Sequence, residues 1–90
     1  MDYWKLENNI GEKVSLNINN NFVIAKIENC EDIKGEKWVT FSVEPDYRKY
    51  TPSLYGFHIG NFNCLYYPVD KRTYKGWFSD EVFRTLKILN

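Results

Sequence analysis

The chain contains no glutamine and a single alanine, Ala25. With few leucines besides, it is short of the residues that favour helix. Two cysteines, Cys30 and Cys64, are too few for a disulfide scaffold. One histidine, His58, and those two cysteines form neither a Cys-x-x-Cys nor a His-Glu-x-x-His spacing, so no metal is expected. Gly-rich phosphate loops and Gly-x-Ser-x-Gly elbows are missing, and no cofactor is expected either. Net charge is absent as well: 12 basic side chains face 12 acidic ones, which counts against a strongly basic duplex-DNA binder. No apolar run is long enough to span a bilayer, so no membrane partner is expected. The first residues carry no basic-then-apolar leader, which points to a reducing cytosol. There Cys30 and Cys64 are expected as free, small, apolar side chains, with a bridge or a paired metal site as the alternatives.

What the chain does have is 43% hydrophobic and 18% aromatic residues among 90. That is enough for one small all-β domain spanning residues 1–90, burying roughly 60–65% of its unfolded surface. Ten Asn, nine Lys, seven Ile, seven Tyr and six Phe are all residues of A- and T-rich codons, pointing to a low-GC bacterium or one of its phages. Aromatic and β-branched residues also suit pleated sheets.

Asp2–Glu7 reads as a strand or a docked arm, and Asn8, Asn9 and Gly11 as a turn. Lys13–Ile18 alternates, with Val14, Leu16 and Ile18 on one face. Phe22–Glu28 does the same with Val23, Ala25 and Ile27. A turn at Asn20–Asn21 pairs Ile18 with Val23, and one at Asn19–Asn20 keeps the same faces together, so a hairpin is expected either way. Cys30 to Lys37 reads as a polar connection, and Trp38–Val43 as a third strand with Val39, Phe41 and Val43 in phase. Pro45 ends it, and Tyr47–Pro52 reads as a loop.

Tyr50–Val69 carries no charged residue, yet Pro52, Gly56, Gly60 and Pro68 interrupt it. A two-residue turn at Gly60–Asn61 places Ile59 opposite Phe62, Phe57 opposite Cys64 and Tyr55 opposite Tyr66, all on one face. His58 and Asn63 then share the other face, which argues against a His58–Cys64 dyad. Cys30 with His58 has no orienting motif. Thr73–Phe78 reads as another strand. Ser79–Phe83 reads as one helical turn capped by Ser79, followed by a closing strand.

Two segments carry a resemblance. Gly11-Glu12-Lys13-Val14 matches a Gly-x-x-Val strand start, and Gly76-Trp77-Phe78-Ser79-Asp80-Glu81-Val82-Phe83 with Leu86 matches an aromatic strand, helical turn and last strand. In these the chain resembles the SH3-like small barrels of bacterial and phage accessory proteins, over Gly11–Val43 and Thr73–Leu89. The segment Glu44–Asp70 is longer than that family's core. The resemblance implies a small antiparallel barrel or sandwich and a tendency to bind peptides, proteins or nucleic acids. It implies no catalytic residue.

Charge is unevenly spread. Residues 1–46 hold nine acids and five bases, and residues 47–90 hold seven bases and three acids. The acids Glu28, Glu31, Asp32 and Glu36 read as a solvated loop, with a weak cation site as the sharper alternative. Two basic clusters interleaved with tyrosine flank the uncharged stretch: Tyr47-Arg48-Lys49-Tyr50 and Lys71-Arg72-Thr73-Tyr74-Lys75. A solvated loop pair is the plain reading. The sharper expectation is a partner-binding face of Tyr47, Arg48, Lys49, Tyr50, Lys71, Arg72, Tyr74 and Lys75, since Tyr and Arg are enriched at binding hot spots. The function expected is a non-enzymatic protein-binding module, a phage or mobile-element accessory protein that obstructs a host protein. Single-stranded nucleic acid, held by stacking and phosphate contacts, is the alternative partner.

Overall fold

A computed structural model describes residues 2–18, 20–50, 53–54, 57–58, 61–66 and 82–89. Its main body is antiparallel sheet, as the alternation of apolar residues predicts, and short helices lie at either end. The chain begins with helix α1 (Tyr3–Glu7) in place of the expected strand or arm. The asparagines that follow explain the difference. Main-chain N–H groups of Asn8 and Asn9 donate to Trp4 and Leu6, and Asn9 Nδ2 donates to the Lys5 carbonyl at 2.6 Å, so the last turn is closed locally. Leu6 is fully buried and holds the helix on the sheet.

Strand β1 (Lys13–Ile18) pairs with β2 (Asn21–Ile33) in the register Ile18 opposite Asn21 and Leu16 opposite Val23, the one expected for a turn at Asn19–Asn20. Asn20 takes a φ of +67°, which asparagine tolerates better than most side chains. β2 does not end at Glu28. It continues to Ile33, turns at Lys34–Gly35 and returns as β3 (Glu36–Val43), so most of the expected polar connection is sheet. A β-bulge at Glu28 explains why the alternation hides this. Ile27 stands opposite Phe41 and Asn29 opposite Thr40, leaving Glu28 as the extra residue. The core-facing phase shifts from Val23, Ala25 and Ile27 to Cys30.

Beyond β3 a 3₁₀ helix (Pro45–Tyr50) replaces the expected loop. β4 (Ser53–Leu54) and β5 (Phe57–His58) form a separate two-stranded ladder. β6 (Asn61–Leu65) lies along β3, with Phe62 opposite Phe41 and Cys64 opposite Val39. This corrects the expected hairpin: Phe57 pairs with Leu54 rather than Cys64. Along β3, Phe62 gains the buried Phe41 ring, 5.4 Å away between centroids, and a regular five-residue ladder. The faces are as expected, with Phe62 and Cys64 buried and Asn63 exposed. Tyr55, Ile59 and Gly60 of that hairpin lie outside the described residues.

Residues 82–85 are helical and lead into β7 (Lys87–Leu89), which pairs with β1. This is the expected order of helical turn then closing strand. Ser79 and the expected strand Thr73–Phe78 lie outside the described residues. The five-stranded sheet thus runs β6-β3-β2-β1-β7. One face carries the core: Val14, Leu16, Ile18, Val23, Ala25, Ile27, Val39, Phe41 and Val43, closed over by Leu6, Val82, Phe83 and Leu86.

Candidate functional site

The core occupies one face, so anything the sheet presents to a partner lies on the other or at its ends. On the outer face, cross-strand register places Lys13 opposite Lys26, and Lys26 opposite Ser42. The chain leaves β3 at Val43, and the 3₁₀ helix folds back beside this row. Tyr47 N–H donates to the Glu44 carbonyl at 2.9 Å, and the Tyr47 ring rests against the core. Arg48 Nε donates to the Val43 carbonyl at 3.2 Å, which fixes the guanidinium at the row's end. The result is an open cleft of about 220 Å³ lined by Lys13, Lys26, Ser42, Val43, Glu44, Pro45 and Arg48.

Three cations in that lining face one carboxylate. Glu44 Oε1 sits 2.8 Å from Lys13 Nζ. Its hydrogen bond and its charge hold the Lys13 ammonium protonated above the usual lysine range. Lys26 reaches Glu28, on the bulge, at 3.3 Å. Both pairs are solvent-exposed, a setting in which ion pairs contribute little and exchange readily. Lys49 and Tyr50 follow Arg48 in the chain and are exposed at the helix end, with Lys49 Nζ 5.1 Å from the Tyr50 ring centre.

The opposite end of β2 has the opposite sign. Glu7, Glu31 and Asp32 surround Tyr3, whose hydroxyl donates to the Glu31 carbonyl at 3.2 Å. Burial, helped by these charges and Cys30, pushes the Tyr3 phenol up to about 12. Asp32 also accepts from Gly35 N–H and pairs with Lys37 at 3.6 Å. From Lys26 to Glu31 the strand runs roughly 15 Å, about twice the Debye length at physiological salt. The acidic end therefore contributes little to the field at the cleft, where Glu44 and Glu28 are the nearby carboxylates.

Cys30 and Cys64 flank Val39 from either side on the core face. Two strand spacings separate them by roughly 9.6 Å, beyond the reach of a disulfide, and neither forms one. Burial and nearby Glu7 push the Cys30 thiol up. The side chain of His58 lies outside the described part. Among the described residues, no group of three His, Cys, Asp or Glu side chains is placed to hold a metal ion. No described helix is long and apolar enough to cross a membrane.

Of the eight residues expected at a partner face, Tyr47, Arg48, Lys49 and Tyr50 share one 3₁₀ helix, with Tyr47 half-buried and the other three exposed. Lys71, Arg72, Tyr74 and Lys75 lie outside the described residues. Lys13 and Lys26 belong with Arg48 in space but escape a search for charge runs, because each is a single cation in its own strand. The signal that finds them is the turn at Asn19–Asn20, from which counting places Lys13 opposite Lys26. No family model, curated protein or solved structure matches the chain.

Proposed function

We propose that this chain is a non-enzymatic protein-binding module, a cytosolic accessory protein of a phage or mobile element that acts by obstructing a host protein. The observation that carries the binding reading is the meeting of Arg48 with Lys13 and Lys26 around one cleft, with exposed Lys49 and Tyr50 following Arg48 in the chain. Arg and Tyr on a fixed backbone are the side chains from which binding hot spots are built. The resemblance to SH3-like barrels in Gly11–Val43 and Thr73–Leu89 supports the module, and the AT-rich residue usage supports the source. The non-enzymatic reading draws on Cys30, whose thiol is pushed away from the thiolate that a nucleophile requires.

The test is affinity capture from a low-GC bacterial lysate, comparing the wild type with a chain carrying Arg48→Ala, Lys49→Ala and Tyr50→Ala. A protein retained by the wild type and lost by the variant, with both chains folded, is the expected result. Equal capture by both removes these residues from the interface. One observation favours a second reading: three cations line one cleft, an arrangement that also suits the phosphates of single-stranded nucleic acid. Oligothymidylate binding that falls steeply with salt would establish that reading instead.

A further inference from the structure

Three features of the described surface invite a further reading. The outer edge of β7 is three residues long, and nothing described says what lies against it. The cleft beside Arg48 holds compensating charges of its own, Glu44 on Lys13 and Glu28 on Lys26. The far end of the β2–β3 hairpin differs, because its two sides carry the same kinds of group and only one side is complete.

On the core side of that hairpin end, Lys37 Nζ lies 5.1 Å from the centre of the Tyr3 ring and 3.6 Å from Asp32 Oδ2. A ring, a carboxylate and a cation thus satisfy one another. On the outer side, Glu31, Trp38 and Leu65 stand in one row across β2, β3 and β6. Facing residues in such a row have Cβ atoms roughly 4.5–5.5 Å apart, so Glu31 is within reach of the indole. Ile33 and Glu36 face each other in the next row toward the turn, on the same side. Ile33, Glu31 and Glu36 are exposed, while Trp38 and Leu65 are half-buried. Here a ring and carboxylates meet, and no cation of the chain completes them.

The two carboxylates are not already compensated. Glu31 Oε1 accepts from the neutral Asn29 side chain at 2.8 Å, and one such donor leaves most of a carboxylate's lone-pair sites open. Among the described residues, neither Glu31 nor Glu36 stands in an ion pair. The hairpin end has two cations of its own. Lys37 serves the core side, and Lys34, in the turn, pairs with no described carboxylate and covers no described ring.

We infer that Trp38, with Glu31 and Glu36 beside it and Ile33 and Leu65 at its rim, receives an arginine side chain from a basic, partly apolar segment of the partner protein. This rests on the protein-binding reading above and adds to it a second contact, of opposite sign to the one at Arg48. The face of an indole attracts cations more strongly than any other side-chain ring. A guanidinium is planar, so it can lie on that face and turn its edge to a carboxylate, which an ammonium cannot do. Two uncompensated carboxylates repel a phosphate backbone, so the occupant is a polypeptide rather than a nucleic acid. Ile33 and Leu65 give the apolar neighbours of that arginine a place to rest.

The experiment titrates a blocked peptide, Gly-Leu-Arg-Leu-Gly, into the full chain at low ionic strength, following backbone and indole N–H shifts by NMR. Peptides with Lys or Gln in the central place are compared with it. The expected result is shifts centred on Glu31, Ile33, Glu36, Trp38 and Leu65, with the Arg peptide binding more tightly than the Lys peptide. The Gln peptide should bind about fivefold more weakly or worse. Glu31→Gln and Glu36→Gln should each weaken the Arg peptide about two- to fivefold, the range of an exposed ion pair. Asp46→Asn, which removes an exposed charge at the far end of β3, should change it less. Trp38→Leu should weaken it about fivefold or more, and Trp38→Phe by less, because a smaller ring remains. Thermal melts show which variants are folded, and the Gln peptide on the unaltered chain decides the matter without any variant.

Absence of peptide binding at low salt overturns the inference. Equal binding of the Arg and Gln peptides overturns it as well, since the patch is then merely apolar. A Lys peptide that binds as tightly as the Arg peptide overturns the assignment to a guanidinium. Equal losses in Glu31→Gln and Asp46→Asn reduce the effect to net charge, with the same consequence. Oligothymidylate shifting the Trp38 indole assigns the surface to nucleic acid and overturns it too. Should lysate capture be lost in the Arg48, Lys49 and Tyr50 variant yet stay unchanged in Glu31→Gln and Trp38→Phe, the protein-binding reading stands and the role given to Trp38 falls alone.

Discussion

Lys13 and Lys26 face each other across the β1–β2 ladder, one strand apart, with no opposite charge between them in the register. What makes the pairing tolerable arrives from elsewhere: Glu44 from the end of β3 and Glu28 from the bulge in β2. Glu44→Gln should therefore lower the melting temperature slightly at low salt. The deficit should shrink as salt rises, because exposed pairs are screened. Thermal melts across a salt series check this. A deficit that does not depend on salt would mean that Gln disturbs the 3₁₀ helix instead.

The core should be far less forgiving. Phe41 is fully buried between Phe62 and Phe83, with ring centres 5.4 and 5.9 Å away. Truncating such a ring costs about 3–5 kcal/mol, whereas a domain of this size has about 5–13 kcal/mol in total. Phe41→Ala is expected to remove a large share of that stability and to move the denaturation midpoint well below that of the wild type. Phe41→Leu keeps much of the volume and should fold with reduced stability. Urea denaturation separates the two. A cooperative Phe41→Ala transition near the wild-type midpoint would show that Phe62 and Phe83 close over the gap.

The turn between β2 and β3 is suboptimal in one place. Lys34 and Gly35 both have positive φ, +52° and +85°, as in the hairpin turn that favours Asn-Gly. Lys34 is a poor residue for the left-handed region, which costs a typical side chain about 1–2 kcal/mol. Lys34→Asn should therefore stabilise the chain by up to about 1 kcal/mol. Gly35→Ala should destabilise it by a similar amount, through the backbone alone, because a Cβ there meets nothing within 4 Å. A loss much above that for Gly35→Ala would point to a contact from outside the described residues.

How much of this was legible in the sequence depends on what a period of two can tell. It gives the face on which a residue lies, so Val14, Leu16, Ile18, Val39, Phe41, Phe62 and Cys64 were placed on the buried side correctly. It does not give the neighbouring strand. Phe62 and Cys64 fit against Phe57 as well as against Phe41 by alternation alone, and only the competition for buried ladder decides. A bulge defeats the pattern outright: one extra residue at Glu28 turns a continuing strand into an apparent polar loop. Helix α1 was missed because three apolar residues in six carry no usable period, while its local caps at Asn8 and Asn9 look like turn residues. The candidate site was half legible. Arg48, Lys49 and Tyr50 stand out as a run, but the cleft exists because β1, β2 and the 3₁₀ helix deliver one cation each.

Alkaline conditions probe the other end of the molecule. Burial raises Tyr3 from its ordinary 10.0 to about 12, and it raises Tyr66 and Cys30 as well. All three are neutral when protonated, and folding favours that form. As pH rises, the unfolded chain releases its protons first, Cys30 from about 9.0 and the tyrosines from 10.0. The folded chain holds them longer. Stability from these groups is thus fully present below pH 9.0 and lost as pH climbs toward 12, the steepest share of Tyr3 falling between 10.0 and 12. Tyr3→Phe removes that share. Near neutral pH the variant should be the less stable chain by up to about 1 kcal/mol, for want of the hydrogen bond to Glu31. Above pH 10.0 it should lose stability more slowly than the wild type, so the two converge. Denaturant titrations at neutral pH and in the alkaline window test the point. If the gap between the two chains stays constant, the alkaline sensitivity belongs to Tyr66 and Cys30 and Tyr3 plays no part in it.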